Sequence, residues 1–264
     1  MEPIHPFSIV KIRHGKKMPF EDTLIREIKL TITVNGEEIA ALMATPVDQE
    51  ALAIGYLMSE NILAQASDIS EVSLEEEGAR VVIAATIDEA AARKLNAEGV
   101  VISGCGRSKT ANIDPEAIRA RTLTTGYARP AAWISETMEG FEAHCRLYRQ
   151  TGSVHTAMLA LEDGTTFVAE DIAQHNTVDK AIGKARLAGA DTTRSVLFVS
   201  GRLSSEMVAK AVMHAIPIVV SRTASTCLGV RIADKFGLTL VGFARKGSMN
   251  IYTHDDRITT EEDA

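Results

Sequence analysis

Between residues 195 and 245, short apolar runs alternate with longer amphipathic segments, and this alternation limits the fold more than any other feature of the chain. Val196–Val199, Pro217–Val220 and Leu238–Phe243 are apolar runs of strand length, rich in valine and leucine. Helical segments around Glu206–His214 and Ala224–Phe236 separate them. Each is long enough to return the chain to the start of the next strand. Strands joined in this way form βαβ units, and right-handed crossovers lay them side by side in a largely parallel sheet. Upstream, Val154–Leu161 and Thr166–Ala169 flank Asp163-Gly164, a hairpin signal, and Thr177–Ala188 has helical spacing. Pro217 is tolerable because it opens its strand.

The first half reads differently. Residues 1–24 hold Pro3, Pro6 and Pro19 and are expected to form an irregular arm. Ile28, Leu30, Ile32 and Val34 alternate with polar residues as in a half-buried strand; Asn35-Gly36 turns the chain, and Ile39–Met43 returns it. Asp48 is placed to cap a helix through Leu57. Ile69–Leu74 and Arg80–Thr86 suggest a second hairpin with Glu75-Glu-Glu-Gly78 at its solvated tip. Asp88–Asn96 reads as a helix and Val100–Ile102 as a strand. Residues 103–130 lack apolar periodicity, which marks a linker or a functional loop. The expected division is an α+β unit over 1–115 and an α/β unit over 116–264. Ala131–Arg149 follows as one helix, with Ile134, Met138, Phe141, Cys145 and Tyr148 on its apolar face.

Composition removes several classes of function. The chain has 264 residues and a net charge of −7, which argues against a nucleic-acid surface while allowing a local basic pocket. Met1-Glu-Pro-Ile-His-Pro6 does not resemble a secretory signal, and no apolar run approaches the ~18 residues of a membrane span. Three well-separated cysteines without a CxxC pair suit a reducing cytoplasm and no structural zinc site. Cys145 and Cys227 both fall in apolar helical stripes and are expected in the core.

Cys105 is different. It lies between Gly104 and Gly106, with Arg107 and Lys109 close by, where positive charge favours the reactive thiolate. The alternative is a glycine-rich connector that happens to carry a cysteine. A second candidate site lies at the strand ends. Val199-Ser-Gly-Arg-Leu-Ser-Ser205 and Val220-Ser-Arg-Thr-Ala-Ser-Thr226 each end a strand with serine and arginine and open a helix; Arg245 and Lys246 follow a third strand. Helix N-termini and arginine forks at the carboxyl ends of strands suit phosphate, so Arg202, Ser204, Ser221 and Arg222 are candidate ligand contacts. Ordinary N-capping explains the serines equally well. Neither a Walker loop nor GxGxxG is present.

Glu170-Asp-Ile-Ala-Gln-His-Asn-Thr-Val-Asp-Lys180 joins a strand to a helix. Asn176 as N-cap and Asp179 in the first turn are accounted for by helix capping; Glu170, Asp171 and His175 are not. His155 fits either a satisfied core histidine or a pocket residue. His155-Thr-Ala157 lacks the glutamate and the cysteine pair of a zinc nucleoside deaminase.

These stretches together resemble the formate dehydrogenase accessory sulfurtransferase family (FdhD). The resemblance rests on Val34-Asn-Gly36, Met43-Ala-Thr-Pro46, Leu52-Ala-Ile-Gly-Tyr-Leu57, Ser103-Gly-Cys-Gly106 and Thr151-Gly-Ser-Val-His-Thr-Ala157. It continues through Glu170-Asp-Ile, His175-Asn, Asp179-Lys-Ala-Ile-Gly183, Ser200-Gly-Arg-Leu-Ser-Ser-Glu206, Ile216-Pro217, Ser221 and Gly242-Phe243. It implies a sulfur carrier that accepts persulfide sulfur from a cysteine desulfurase on Cys105. Delivery would be to the molybdenum or tungsten bis(pyranopterin guanine dinucleotide) cofactor of the formate dehydrogenase catalytic subunit. It also implies a homodimer, transient rather than tight cofactor binding, and a carboxyl-terminal three-layer α/β domain similar to the cytidine deaminase fold without zinc. His155, Asp171 and His175 would shape the pocket or handle protons beside Arg202, Ser204, Ser221 and Arg222.

There are two departures from the family pattern. Ser108 stands where many members carry a second loop cysteine, and Ala173-Gln174 replaces the usual Gly-Arg before His-Asn. Two rivals remain. One is a cofactor-binding chaperone in which Cys105 carries no sulfur. The other is a nucleotide hydrolase working through His155, Asp171 and His175.

Overall fold

The structure is a computed structural model and describes residues 1–97, 102–103, 115–116, 118 and 120–263. Cys105 and Ser108 lie outside the described residues. The first elements are β1 (Ile4–Arg13) and β2 (Lys16–Ile25), an antiparallel hairpin with its own two-stranded sheet where an irregular arm was expected. His14 and Gly15 both take positive φ (50° and 77°), the two-residue turn that matches strand twist. Pro6 and Pro19 are tolerated because, among the described residues, neither strand has a second neighbour that needs their missing N–H.

A five-stranded sheet follows, ordered β5-β6-β3-β4-β7. Its members are β3 (Ile28–Val34), β4 (Glu37–Ala44), β5 (Ile69–Glu75), β6 (Arg80–Ala85) and β7 (Ile102–Ser103). Both expected hairpins are present. Helices α1 (Gln49–Ser59) and α2 (Glu89–Ala97) cover this sheet, and Leu30, Ile32, Leu42, Leu52, Ile54, Leu57 and Val81 form its core. Asp48 does not cap α1 with its side chain; its carboxylate pairs with Lys184 at 2.8 Å.

Then come β8 (Arg129–Pro130), α3 (Ala131–His144), α4 (Arg146–Thr151), β9 (His155–Leu161), β10 (Thr166–Asp171) and α5 (Gln174–Leu187). The chain continues through β11 (Ser195–Val199), α6 (Ser205–Met213), β12 (Ile218–Ser221), α7 (Cys227–Phe236), β13 (Thr239–Arg245), β14 (Ser248–Thr253) and β15 (Ile258–Thr259). The single helix expected over Ala131–Arg149 is broken at Cys145, whose ψ of 70° is not helical. Cys145 is buried as expected, but Tyr148 beyond the break is 51% exposed.

The second large sheet has the order β10-β9-β11-β12-β13-β14. Only its centre matches the parallel expectation: β11, β12 and β13 are parallel, while β9 and β14 run against them. Period-2 alternation sorts its side chains. Ala157, Leu159, Leu197, Val199, Val219 and Leu240 meet α5, α6 and α7 on one face, and Met158, Val196, Phe198, Ile218 and Val220 meet α3 on the other. Each fully buried aliphatic side chain contributes roughly 1.5–3 kcal/mol.

The two sheets are joined where α1 lies against α5. A Cβ at Gly55 would stand 1.9 Å from the Asp179 carbonyl oxygen, and one at Gly183 would stand 1.9 Å from that of Ala51. The helices therefore touch backbone to backbone. Among the described residues no helix is long and apolar enough to cross a membrane.

Candidate functional site

Because β10 and β11 both run antiparallel to β9, and β12 runs parallel to β11, three strands end at one edge of the sheet. Each opens a helix after a short loop, Asp171 to Gln174, Val199 to Ser205 and Ser221 to Cys227. The N-termini of α5, α6 and α7 therefore lie along that edge, their positive dipole ends suited to anions, although at α7 the Gly229 N–H already donates to the Thr226 hydroxyl at 3.1 Å.

The loops are fixed to one another. Leu203 bridges Ser225, its N–H donating to Ala224 O (3.0 Å) and its carbonyl accepting from Thr226 N (3.1 Å). Ser221 is fully buried, and its hydroxyl donates to Gly201 O at 2.6 Å, so it joins the loops from behind. Gln174 Nε2 donates to Arg202 O at 2.8 Å, and its amide lies where a Cβ on Gly201 would have to be. Arg222 turns outward and pairs with Glu142 of α3.

His155, His175, Arg202 and Ser204 come together at this edge. His155 Nδ1 lies 3.3 Å from Ser200 Oγ, which also accepts from Thr156 N at 3.0 Å. Burial lowers the His155 pKa below its ordinary value; the neighbouring charges of His175 and Arg202 lower it further, against the pull of Asp171. His155 therefore favours the neutral imidazole beside the Arg202 guanidinium. His175 Nδ1 stands 2.8 Å from Glu206 Oε2, an ion-pair distance without hydrogen-bond alignment. Ser204 precedes α6 but does not cap it, and its buried Oγ has no partner among the described residues.

The acidic residues of the Glu170–Lys180 stretch work elsewhere. Glu170 accepts Leu147 N (2.7 Å) and Tyr148 N (2.9 Å), capping α4. Asp171 is fully buried and accepts four donors: Lys180 Nζ (2.6 Å), Thr45 N (3.0 Å), Ala173 N and Asn176 Nδ2 (both 2.9 Å). It ties β4 to α5, with no lone pair turned to the pocket edge. Asn176 is not the N-cap, since α5 begins at Gln174; its amide bonds Met43 O and Asp171. Asp179 does not serve the helix dipole alone, because both its oxygens accept from Lys210.

Cys227 departs from its expected place in the core. It is exposed, as the first residue of α7. Ser200 and Gln174 were not chosen as candidates from the sequence, although Ser200 opens the strand-end motif itself. Phe243 takes φ of 53°, held by its N–H to Thr223 O (3.0 Å) and by the close approach of Thr223 to Gly242. Among the described residues no group of three His, Cys, Asp or Glu side chains could hold a metal.

The likenesses to known proteins run through nearly the whole chain. A sulfur carrier protein FdhD from Wolinella succinogenes is 44% identical over 238 residues, covering 90% of this chain and 83% of that one. One from Geobacillus kaustophilus is 32% identical over 250 residues, 95% of each chain. A crystal structure from Desulfotalea psychrophila, provisionally assigned as a formate dehydrogenase accessory protein, superposes with a TM-score of 0.80 at 27% identity. The match covers 98% of this chain and 100% of that one. The family profile itself matches residues 25–259, from the end of the hairpin arm across both sheets and the strand-end loops, and by these correspondences the chain belongs to the FdhD/NarQ family.

Proposed function

We propose that this protein is a sulfur carrier for formate dehydrogenase. The observation that carries the reading is the convergence of three helix N-termini with His175, Arg202 and the unpartnered Ser204 Oγ at one sheet edge. Such an edge suits the phosphates of a guanine dinucleotide, the handle by which a pterin cofactor would be held as cargo. The relatives' name, sulfur carrier protein, agrees with this reading. The carboxyl-terminal part is then a zinc-free relative of the cytidine deaminase fold, and the protein works in the cytoplasm as a homodimer beside a cysteine desulfurase.

Sulfur is loaded on Cys105. Its thiolate attacks the outer sulfur of the desulfurase persulfide, one S–S bond forms as another breaks, and the desulfurase cysteine leaves as a thiolate. No oxidant is consumed. Delivery as sulfide to the molybdenum or tungsten cofactor takes two electrons, supplied by a thiol reductant or by the metal. Arg202 and the α5 and α6 starts hold the cargo's phosphates. His155, held towards its neutral form by burial and by Arg202, accepts a hydrogen bond or a proton there. A single thiol suffices for such a relay, so Ser108 does not block it.

Intact mass after incubation with a cysteine desulfurase and cysteine is the test, with Cys105→Ala as control. A reducible gain of one sulfur (~32 Da) that requires Cys105 is expected. No gain with an active desulfurase would favour the cofactor chaperone, in which the same edge binds cargo and Cys105 is idle.

A further inference from the structure

β5 stands at the edge of the five-stranded sheet and pairs with β6 alone. Among the described residues no backbone group on its outer side bonds to another element, and such a row of N–H and C=O groups is a template for one more strand. Its side chains alternate. Val72 and Leu74 stand opposite Ile83 and Val81, on the face that α1 and α2 cover, and Glu71, Ser73 and Glu75 lie on the other face. The core stops short of the edge: Val81 is fully buried, but its cross-strand neighbour Leu74 is 45% exposed. Beside Leu74 lies a groove of about 640 Å³, lined also by Met1, Pro46, Gln49, Glu75 and Glu77. Gln49 Nε2 donates to Gly78 O at 3.4 Å, so the turn after β5 is tied to the start of α1 and the groove is formed in advance.

We propose that this edge takes an extended, basic segment of a different protein as an added strand. Such a strand continues the alternation: a residue level with Leu74 enters the groove and covers it, and the residues on either side meet Glu71 and Glu75 on the opposite face. Charge selects the occupant. Neither Glu71 nor Glu75 has an ion-pair partner among the described residues, and Arg80, opposite Glu75, gives its Nε to Glu76 (2.8 Å) and its Nη1 to Thr33 (3.2 Å). The turn beyond β5 adds Glu76 and Glu77, both at positive φ (51° and 56°), where glycine or asparagine would sit with less strain. Lysine or arginine at alternate positions complements this face; an acidic segment is repelled. A second copy of β5 is excluded as the occupant, because glutamate would face glutamate across the new pair. A bound metal ion is the poorer fit, since among the described residues no group of three His, Cys, Asp or Glu side chains could hold one. Charges that only guard an edge against aggregation need no open leucine beside them. The edge belongs to the five-stranded sheet and the strand-end pocket to the other, so the inference goes beyond sulfur carriage and does not rest on it.

Fluorescence anisotropy reads it, with the full chain and a labelled, end-capped heptapeptide that alternates lysine with valine or leucine. Saturable binding is expected, weakened about tenfold by Glu71→Gln with Glu75→Gln and about tenfold by Leu74→Ser. Backbone pairing separates strand addition from charge attraction alone. Only alternate N–H groups of the peptide face the edge, so N-methylation of one alternate set abolishes binding and N-methylation of the other set leaves it. That comparison uses the wild-type protein and decides the matter even where a variant does not fold. The peptide is also expected to slow amide exchange in β5 and not in β14, an edge of the other sheet. No binding, binding that both methylated peptides retain, or protection of β14 in place of β5 overturns the proposal. So does a change of oligomeric state on Glu71→Gln with Glu75→Gln, read by sedimentation, which would give the edge to a second copy of this chain.

Discussion

The seam between α1 and α5 and the strand-end pocket use the same kinds of side chain for opposite purposes. In the seam, Asp171, Lys180, Asp179 and Lys210 are buried, and the Asp171 carboxylate and Lys180 ammonium bond on every side. At the pocket, His155, His175 and Ser204 are half-buried, Arg202 is exposed, and Ser204 Oγ has no partner among the described residues. A saturated buried charge can only hold the molecule together, because it has no valence left for a ligand. An unsaturated edge contributes little to stability and remains able to bind. The chemical identity of a residue thus says less than the number of its bonds already made.

That contrast can be broken at its strongest point first. Lys180→Met leaves the Asp171 carboxylate buried without its ammonium, and about 3–5 kcal/mol of stability should be lost in denaturant unfolding. A loss under 1 kcal/mol would mean that the seam is not the fastening described here. His214 comes next. It is buried beside Ser59 Oγ (3.1 Å), and burial, with Arg186 and Lys210 nearby, pushes its pKa down to about 3. Folded His214 therefore stays neutral while the unfolded residue protonates below its ordinary value near 6.5. The unfolded state binds more protons, so stability falls as pH drops from about 6.5 towards 3, by roughly 1.4 kcal/mol per unit at most. His214→Gln should flatten that part of the pH–stability curve; an unchanged slope would remove His214 as its cause. The smallest stability effect belongs to the pocket. Arg202→Ala should change unfolding free energy by no more than about 0.5 kcal/mol, while guanosine diphosphate binding, read by calorimetry, weakens about tenfold. A large stability loss there would erase the distinction between the two regions.

Much of the architecture was legible because it is local. Alternation gave β3 and β4, Asn35-Gly36 gave their turn, and the spacing of apolar runs from Val196 to Phe243 gave β11, β12, β13 and the helices between them. Arginine and serine after these strands marked the edge where the helix starts gather. What escaped depends on contacts far along the chain. Asp171 meets Thr45 across 126 positions, so nothing near Asp171 shows that its carboxylate is already taken. Asn176 looked like a cap from its residue type and place, but its amide is taken by Met43, far along the chain, and by Asp171. The prolines of the first 24 residues concealed β1 and β2, since in a lone hairpin the outer N–H groups have no neighbour to bond. Cys227 was misplaced by the apolar stripe of its helix, which begins at that residue and leaves it in solvent.

The bridging of Leu203 to Ser225, with Ser221 bonded behind Gly201, has a thermodynamic consequence for any ligand at that edge. The two loops are already ordered when the protein folds, so little conformational entropy remains to be lost on binding. Capture should then proceed without a slow rearrangement of these loops, at a rate set by encounter and by the attraction of their cations, and should slow as salt is added. A substitution that loosens one loop should disturb the other equally, so paired variants across Leu203 and Ser225 should cost less together than the sum of their separate costs.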